Sequence, residues 1–170
     1  MGMREADVLD VLEQLEASSI AVSIAGGWAV DALLGRVTRE HDDLDLAIDA
    51  GDVERAVAGL GDIGLAVETD ERPARLSLGD GTRSVDLHPV EWDATGTGRQ
   101  AGLTSEPYIY PPGSTGAVGR IGPRTVRCLT PALLLDFHLG YEPRAIDRQD
   151  MDALAERFGL ALPPPYRDRA

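Results

Sequence analysis

Lysine is absent from the chain, and all sixteen basic residues are arginine. Neither a Schiff-base lysine nor a Walker-type phosphate lysine is therefore available, so phosphate chemistry would depend on arginine, backbone amides or metal. Positive charge is scarce overall, with 29 acidic residues and a net charge of -13. Because nucleic-acid binders need a basic stripe, this balance disfavours a polymerase or another nucleic-acid partner and favours a cationic small molecule.

Cysteine is equally scarce. The single cysteine, Cys128, excludes an intramolecular disulfide, and its strand-like surroundings predict a buried structural thiol rather than a nucleophile. No apolar run approaches the roughly 20 residues that cross a bilayer, and no basic, apolar leader precedes the first predicted helix. We therefore expect a cytoplasmic protein without a membrane partner. At 170 residues, the chain has room for one domain and not for two complete ones.

Apolar spacing predicts a mixed sheet with flanking helices. The predicted helices cover residues 4–17, 28–34, 53–60 (capped by Asp52), 130–139 (stopped by Gly140) and 144–158. The predicted strands cover residues 20–25, 44–48, 65–68, 75–78, 84–90, 108–110, 117–121 and 125–129. Residues 93–116 otherwise form a long loop, typical of a binding element or of disorder, and the tail from 163 is expected to fray.

Two aspartates one residue apart, Asp43 and Asp45, are the most informative feature. In an extended strand, residues i and i+2 lie on the same face, so both carboxylates would lie side by side with the neighbouring leucines toward the core. Like charges held that close repel, and a divalent metal is the usual compensation. An isolated Asp-x-Asp is more often a solvated strand edge, and the pair alone leaves that alternative open.

A third carboxylate and an imidazole follow the same pattern. Asp86 and His88 share one face of their predicted strand. If this strand pairs beside that of Asp43 and Asp45, the four side chains converge, and two Mg²⁺ ions held there could clamp a nucleoside triphosphate. Either His88 or Asp86 is then the candidate general base, since imidazole titrates near neutrality; a structural histidine beside Pro89 is the alternative.

A diglycine, Gly26-Gly27, precedes the second predicted helix. Without side chains, its amides can approach phosphate oxygens, and the amino end of a helix favours negative charge; a purely structural turn is the alternative. Arg39 and His41 precede the metal strand and are candidates to contact phosphate or ribose. The alternative for Arg39 is a salt bridge to a nearby acid.

Two further groups of residues are open to interpretation near the carboxyl end. Asp136, His138 and Tyr141 are candidate walls of an acceptor pocket, although packing and capping explain them equally well. The acids Asp147, Asp150 and Asp152 are expected to form a solvated helix face.

The segment from Gly26-Gly27-Trp28 to Asp43-Leu44-Asp45 closely resembles small antibiotic-modifying nucleotidyltransferases of the DNA polymerase beta superfamily. It is similar both to the lincosamide nucleotidyltransferases and to the aminoglycoside adenylyltransferases that modify the 2''-hydroxyl. Three later segments are more similar to the lincosamide group: Arg72-Pro73-Ala74-Arg75, residues 85–90 and residues 137–141. The resemblance runs from the first helix to about Leu154 and is weakest between Trp92 and Gly116.

The resemblance implies an α+β nucleotidyltransferase fold of the polymerase beta type, a mixed β-sheet flanked by helices with a small C-terminal helical extension. It implies one domain over residues 1–170, with a catalytic core at about 1–92 and an extension at about 93–170. It also implies that Asp43 and Asp45 bind two magnesium ions, that Asp86 completes the metal site and that Gly26-Gly27 contact the triphosphate.

We therefore expect transfer of a nucleoside monophosphate, AMP from ATP, to a hydroxyl of a small-molecule antibiotic, with release of pyrophosphate. Lincosamide and aminoglycoside acceptors both stay open, and the loop at 93–116 is expected to decide between them. A homodimer stays open as well, since so short a chain can borrow pocket walls from a second copy. The alternative function is a minimal nucleotidyltransferase antitoxin that modifies a partner protein; an idle nucleotide-binding module is disfavoured by the intact carboxylates.

Overall fold

A mixed sheet of nine strands forms the centre of the protein, whose computed structural model describes residues 2–103, 106–139 and 141–167. The strands are β1 Val22–Ile24, β2 Leu44–Asp49, β3 Ala66–Glu71, β4 Arg75–Gly79, β5 Ser84–Trp92, β6 Gly98–Gln100, β7 Tyr108–Tyr110, β8 Ala117–Ile121 and β9 Arg124–Cys128. Every predicted strand is present. The sequence did not predict β6, because three residues carry no readable alternation.

Among the described residues, five helices accompany the sheet at the predicted places. A short sixth helix, in which Tyr166 is buried, lies in the tail, where the expectation of fraying is wrong for residues 164–167. The helices are α1 Glu5–Ala17, α2 Gly26–Leu34, α3 Val53–Asp62, α4 Pro131–Phe137, α5 Ala145–Phe158 and α6 Pro164–Arg167. The diglycine is not a turn before α2 but its first helical residues. Gly140, predicted to stop α4, lies outside the described residues, and α4 already ends at Phe137.

The α3 cap differs from the prediction. Asp52 is the residue before α3, but its carboxylate pairs with Arg55 and makes no capping hydrogen bond. Asp49 instead accepts a hydrogen bond of 2.8 Å from the amide of Gly51, at the start of the short 3-10 turn that precedes α3. The Asp49 carboxylate therefore caps the turn that leads into α3, whereas an Asp52 cap would have bonded to an amide of α3 itself.

Strand order places the predicted metal strands side by side. The main path is β3-β4-β5-β2-β1-β9-β8, with β2 antiparallel to β1 and parallel to β5. Leu44 and Leu46 on β2 and Val85 and Leu87 on β5 are fully buried, as the alternation predicted. Their burial fixes the register of both strands, because a slip of one residue would turn these apolar side chains to the other face.

A small second sheet extends from the end of β5. Strand β6 pairs with β5 through Trp92 and Gly98, and β7 pairs with β6 through Tyr108 and Gln100. A side chain at Gly98 would lie 2.6 Å from the Val90 methyl and from the Trp92 ring, so only glycine permits this fold-back. Part of the predicted long loop is therefore ordered against the site.

Strand β9, which lies between β1 and the edge strand β8, carries the cysteine. Cys128 is fully buried opposite Ile24 of β1, and burial raises the pKa of its thiol to about 12. The predicted structural thiol is confirmed. Strands from both sides of residue 92 thus share one sheet, and the division of the domain at about 92 stays a prediction. None of the described helices is long and apolar enough to cross a membrane.

Candidate active site

Three carboxylates gather where β2 and β5 run in parallel. Asp45 of β2 lies directly opposite Asp86 of β5, and Asp43 immediately precedes β2. Burial and the negative charges of Asp45, Asp86 and Asp42 raise the pKa of Asp43 to about 6. The predicted convergence of these acids is therefore present as a concentration of negative charge.

Two protein groups already contact this charge. The Nε2 atom of His88 lies 2.8 Å from Oδ1 of Asp45. The Arg75 guanidinium lies 3.1 Å from Oδ2 of Asp86, and it also pairs with Glu71 at 2.7 Å. Asp43 has no such basic partner among the causes of its raised pKa, so it carries the least compensated charge of the three.

The donor chemistry suits a hard cation, but the ligands are not assembled around one. In the part of the chain that the structure describes, no three His, Cys, Asp or Glu side chains are grouped so that they could hold a metal ion. Asp43, Asp45 and Asp86 offer the oxygen atoms that Mg²⁺ prefers. The side chains of Asp45 and Asp86 would have to turn toward the ion from His88 and Arg75, so the metal site stays a prediction.

The diglycine is packed against the acidic and basic groups of the site. Gly26 has a φ of +56°, and a side chain there would collide with the Asp45 carboxylate. A side chain at Gly27 would collide with the Arg39 guanidinium and would lie 2.6 Å from Nδ1 of His41. The positive φ at Gly26 and the close packing at both positions favour glycine without any ligand, which supports the structural alternative; contact with phosphates stays a prediction.

Arg39 forms the salt bridge that the sequence left as its alternative. Its Nη2 atom lies 2.8 Å from Oδ2 of Asp150 on α5, and its Nε atom also donates to this carboxylate. Asp150 and Asp147 are 3% and 2% exposed, so the predicted solvated face of α5 is wrong at both positions. Asp147 accepts from Arg144 in a capping box at the start of α5. Helix α5 packs against α2, α4 and α6, and both acids are buried in this packed arrangement.

His41 lies in the interior, beneath the diglycine. Its Nε2 atom lies 2.6 Å from Oδ2 of Asp31, and its ring packs 4.6 Å from that of Trp28. The Thr38 amide and hydroxyl also donate to Asp31, at 3.0 and 2.5 Å. This geometry favours a positioning role for His41 behind Gly27; direct contact with a nucleotide stays a prediction.

A cavity of about 240 Å³ opens beside Asp45. It is lined by Gly26 and the polar side chains of Asp45, Arg75 and His88, and by apolar or aromatic side chains that include Leu103, Tyr108 and Phe137. Three larger cavities, of about 250, 430 and 620 Å³, lie elsewhere, and among the described residues their walls include none of the predicted site residues. The 240 Å³ cavity, which we call the site cavity, therefore combines predicted site residues with room for a ligand.

A profile of the aminoglycoside-2''-adenylyltransferase family matches residues 7–154. The chain belongs to this family. As a family member it is a nucleotidyltransferase, and the predicted fold class is confirmed.

Relatives of this family member include proteins named for both drug classes. The chain is 28% identical over 154 residues to a lincosamide resistance protein of Staphylococcus haemolyticus, covering 90% of this chain and 95% of that protein. It is 35% identical over 123 residues to a 2''-aminoglycoside nucleotidyltransferase of Escherichia coli, covering 69% of this chain and 63% of that protein.

Solved structures show the same architecture. The crystal structure of the lincosamide antibiotic adenylyltransferase LnuA with lincomycin bound has a TM-score of 0.79 and 27% identity, covering 91% of this chain and 98% of that chain. ANT(2")-Ia in complex with adenylyl-2"-tobramycin has a TM-score of 0.74 and 23% identity, covering 91% of this chain and 89% of that chain, and supports the fold alone.

Several residues of the site cavity were not among the predicted site residues of this transferase. Tyr108, Tyr110 and Phe137 form an aromatic wall, in which the Phe137 ring lies 5.1 and 5.0 Å from the two tyrosine rings. The signal for this wall is the spacing of Tyr108 and Tyr110, which favours one face of a strand. Gln100 also lines the cavity and offers no comparable signal. Of the three candidate walls of an acceptor pocket, His138 lines the cavity, whereas Asp136 and Tyr141 do not.

Proposed function

We propose that this protein transfers AMP from ATP to a hydroxyl of a lincosamide antibiotic, with release of pyrophosphate. The observation that carries the choice of acceptor is the site cavity, in which Asp45 and His88 adjoin a wall of Leu103, Tyr108 and Phe137. Such a wall suits an amphiphilic acceptor with an apolar side.

Local charge separates the two drug classes better than net charge does. Among the described residues that line the site cavity, Asp45 is the one carboxylate and Arg75 the one arginine. A polycationic aminoglycoside would meet no surplus of acids there and would lie near a guanidinium. The overall charge of -13 favours the approach of any cation, but the residues that line the site cavity determine which acceptor binds. The extensive coverage of the lincosamide resistance relative agrees with this choice.

The triphosphate would lie between the amino end of α2 and the three carboxylates. The amides in the first turn of α2, at Gly26 and Gly27, would donate to phosphate oxygens. Asp43, Asp45 and Asp86 would hold two Mg²⁺ ions, which would neutralise the charge on the phosphates. The packing of Gly26 against Asp45 places the helix terminus and the acids in direct contact, so one substrate can engage both.

The reaction is an in-line displacement. The acceptor hydroxyl oxygen forms a bond to the α-phosphorus while the bond between this phosphorus and the bridging oxygen of pyrophosphate breaks. The hydroxyl proton leaves to a base, for which Asp86 and His88 are the candidates that the sequence offers. The aromatic wall holds the apolar side of the acceptor, so that its hydroxyl faces the acids.

The test is a pyrophosphate-release screen with Mg²⁺, offering ATP or GTP against panels of lincosamides and aminoglycosides. We expect release with ATP and lincosamides, and an acceptor product whose mass has increased by one AMP group. Release with aminoglycosides alone would overturn the proposed acceptor. Release with neither class, together with AMP transfer to a co-purifying protein, would establish the antitoxin alternative instead.

Two further features of the proposal are measured separately. Calorimetric titration of Mg²⁺ into the complex with a non-hydrolysable ATP analogue counts the ions, for which we expect two. Light scattering of the purified chain tests the predicted homodimer. A single ion or a monomer would correct these features and leave the proposed reaction intact.

A further inference from the structure

We infer that Gln100 is a positioning residue that fixes His88 as the neutral tautomer with its proton on Nε2, so that His88 orients Asp45 and is not the general base. Four side chains form the relevant line of hydrogen bonds. The Tyr110 hydroxyl lies 2.6 Å from Oε1 of Gln100, Nε2 of Gln100 lies 3.1 Å from Nδ1 of His88, and Nε2 of His88 lies 2.8 Å from Oδ1 of Asp45.

The Ala74 backbone fixes the direction of the Gln100 amide. The Ala74 carbonyl lies 3.3 Å from Nε2 of Gln100, and a carbonyl oxygen can only accept. The atom of Gln100 that faces it must therefore be the amide nitrogen, whose second hydrogen points to His88. Because Gln100 is buried, the opposite orientation would leave a carbonyl against a carbonyl without compensation by water.

The Tyr110 end of the line agrees with this direction. Tyr110 is fully buried, and burial followed by the negative charge of Asp45 raises the pKa of its hydroxyl. The hydroxyl therefore stays protonated and donates a hydrogen bond to Oε1 of Gln100. Every donor in the line then points toward Asp45, whose carboxylate is the final acceptor.

The tautomer of His88 follows from these directions. Since Nδ1 accepts from Gln100, it carries no hydrogen, and a neutral imidazole then carries its hydrogen on Nε2. That hydrogen is donated to Asp45. Neither ring nitrogen has a lone pair free for a substrate proton, whereas a general base must lie within hydrogen-bond reach of that proton. Of the two candidates that the sequence offers, Asp86 remains.

His88 instead controls where the Asp45 carboxylate lies. Its hydrogen bond holds Oδ1, while Oδ2 lies against the backbone of Gly26. Groups that hold a ligating carboxylate in this way typically change metal affinity or activity by about 10–100-fold when they are removed. The catalytic meaning of this arrangement depends on the proposed function, but the tautomer is a property of the protein alone.

The tautomer can be read directly by NMR. The chain has three histidines, so a long-range ¹H–¹⁵N spectrum of the ¹⁵N-labelled protein is simple, and the His88 signals are assigned by their loss in His88→Ala. At pH about 8, we expect the Nε2–H pattern with and without Mg²⁺, because Gln100 donates to Nδ1. A proton on Nδ1, or on both nitrogens, would overturn the inference. This result does not depend on turnover, so failure of the proposed function cannot be mistaken for it.

Gln100→Leu tests the cause of the tautomer. The leucine side chain fills a similar volume but donates nothing to Nδ1, so we expect the Nε2–H pattern to mix with the other tautomer and kcat to fall about 10–100-fold, with the acceptor KM unchanged. The matched control is Gln14→Leu on α1, away from the site, which should change neither the spectrum nor kcat. An unchanged His88 spectrum in Gln100→Leu would refute the role of Gln100.

His88→Gln separates an orienting donor from a base. A glutamine amide can donate from nearly the position of Nε2 but cannot take up a proton at neutral pH. We expect His88→Gln to keep kcat within about 10-fold of the wild type while His88→Ala loses more, since only the former restores a donor to Asp45. Equal inactivity of the two variants, with both folded and binding Mg²⁺, would show that His88 is the base.

Discussion

Two histidine–aspartate pairs in this protein have nearly the same contact and different surroundings. His41 and Asp31 lie 2.6 Å apart with side chains 3% and 2% exposed, whereas His88 and Asp45 lie 2.8 Å apart with 19% and 27% exposed. The first pair is enclosed by α2 and the loop at 38–41. The second opens into the site cavity. The same contact therefore stabilises the fold where water is excluded and orients a reactive group where it is admitted.

The difference has a simple energetic origin. A buried polar group must keep its partner, because the loss of that partner leaves it without water to replace the bond. A group at a cavity can exchange its partner for water, metal or substrate at little cost. Substitutions in the enclosed pair should therefore mainly lower stability, whereas substitutions in the open pair should mainly lower turnover.

The largest effect is expected on turnover, at the open pair. We predict that Asp45→Asn lowers kcat/KM by about 10³-fold or more, because a carboxylate that helps to neutralise phosphate charge contributes several kcal/mol to the barrier. The urea midpoint should barely change, since the amide oxygen still accepts from His88. Pyrophosphate release and urea denaturation measure the two quantities. Asp62→Asn, on an exposed residue at the end of α3, is the control and should change neither.

The largest effect on stability is expected at the enclosed pair. We predict that His41→Ala lowers the free energy of unfolding by about 3 kcal/mol, because it leaves Asp31 buried with one partner fewer and removes packing from Trp28. His88→Ala should lower it by less than about 1 kcal/mol, since water can reach Asp45. Urea denaturation of the two variants, side by side, measures the difference. Equal losses would mean that burial does not distinguish the pairs.

A smaller effect is expected from the link between the enclosed region and α5. We predict that Asp150→Asn destabilises the protein by about 1–2 kcal/mol, because Arg39 loses its charged partner and only part of its hydrogen bonding survives. The freed guanidinium also packs less firmly on Gly27, so KM for ATP should rise. Glu156→Gln on the exposed side of α5 is the control. A stability loss without any change in KM would show that Arg39 acts on the fold alone.

The smallest effect is expected to be a gain. Asp43 is repelled by Asp45 and Asp86, so we predict that Asp43→Asn stabilises the metal-free protein by less than about 1 kcal/mol. The gain is small because the Asp43 carboxyl is only partly covered, and the water that still reaches it screens most of the repulsion. Added Mg²⁺ should stabilise the wild type more than the variant. Thermal unfolding with and without Mg²⁺ measures both effects, and a destabilised metal-free variant would contradict the repulsion.

Much of the fold and part of the site were accessible from local patterns. The alternation around Asp43-x-Asp45 and Asp86-x-His88 predicted which side chains share a face, because side-chain direction along a strand depends only on the strand itself. Asp147 and Asp150 were misjudged because acids on a helix look solvated until another element covers them, and β6 was missed because its pairing is its only signal.

The sequence by itself determined the elements, the acidic cluster and the family. Only the tertiary structure decided which partners the reactive groups have. Gln100 meets the Ala74 carbonyl across 26 residues of chain, and Arg39 meets Asp150 across 111. Contacts at such separations follow from how the sheet and helices pack, and no local propensity encodes them. The role of His88 therefore depends on an amide and a carbonyl that the sequence around it does not reveal.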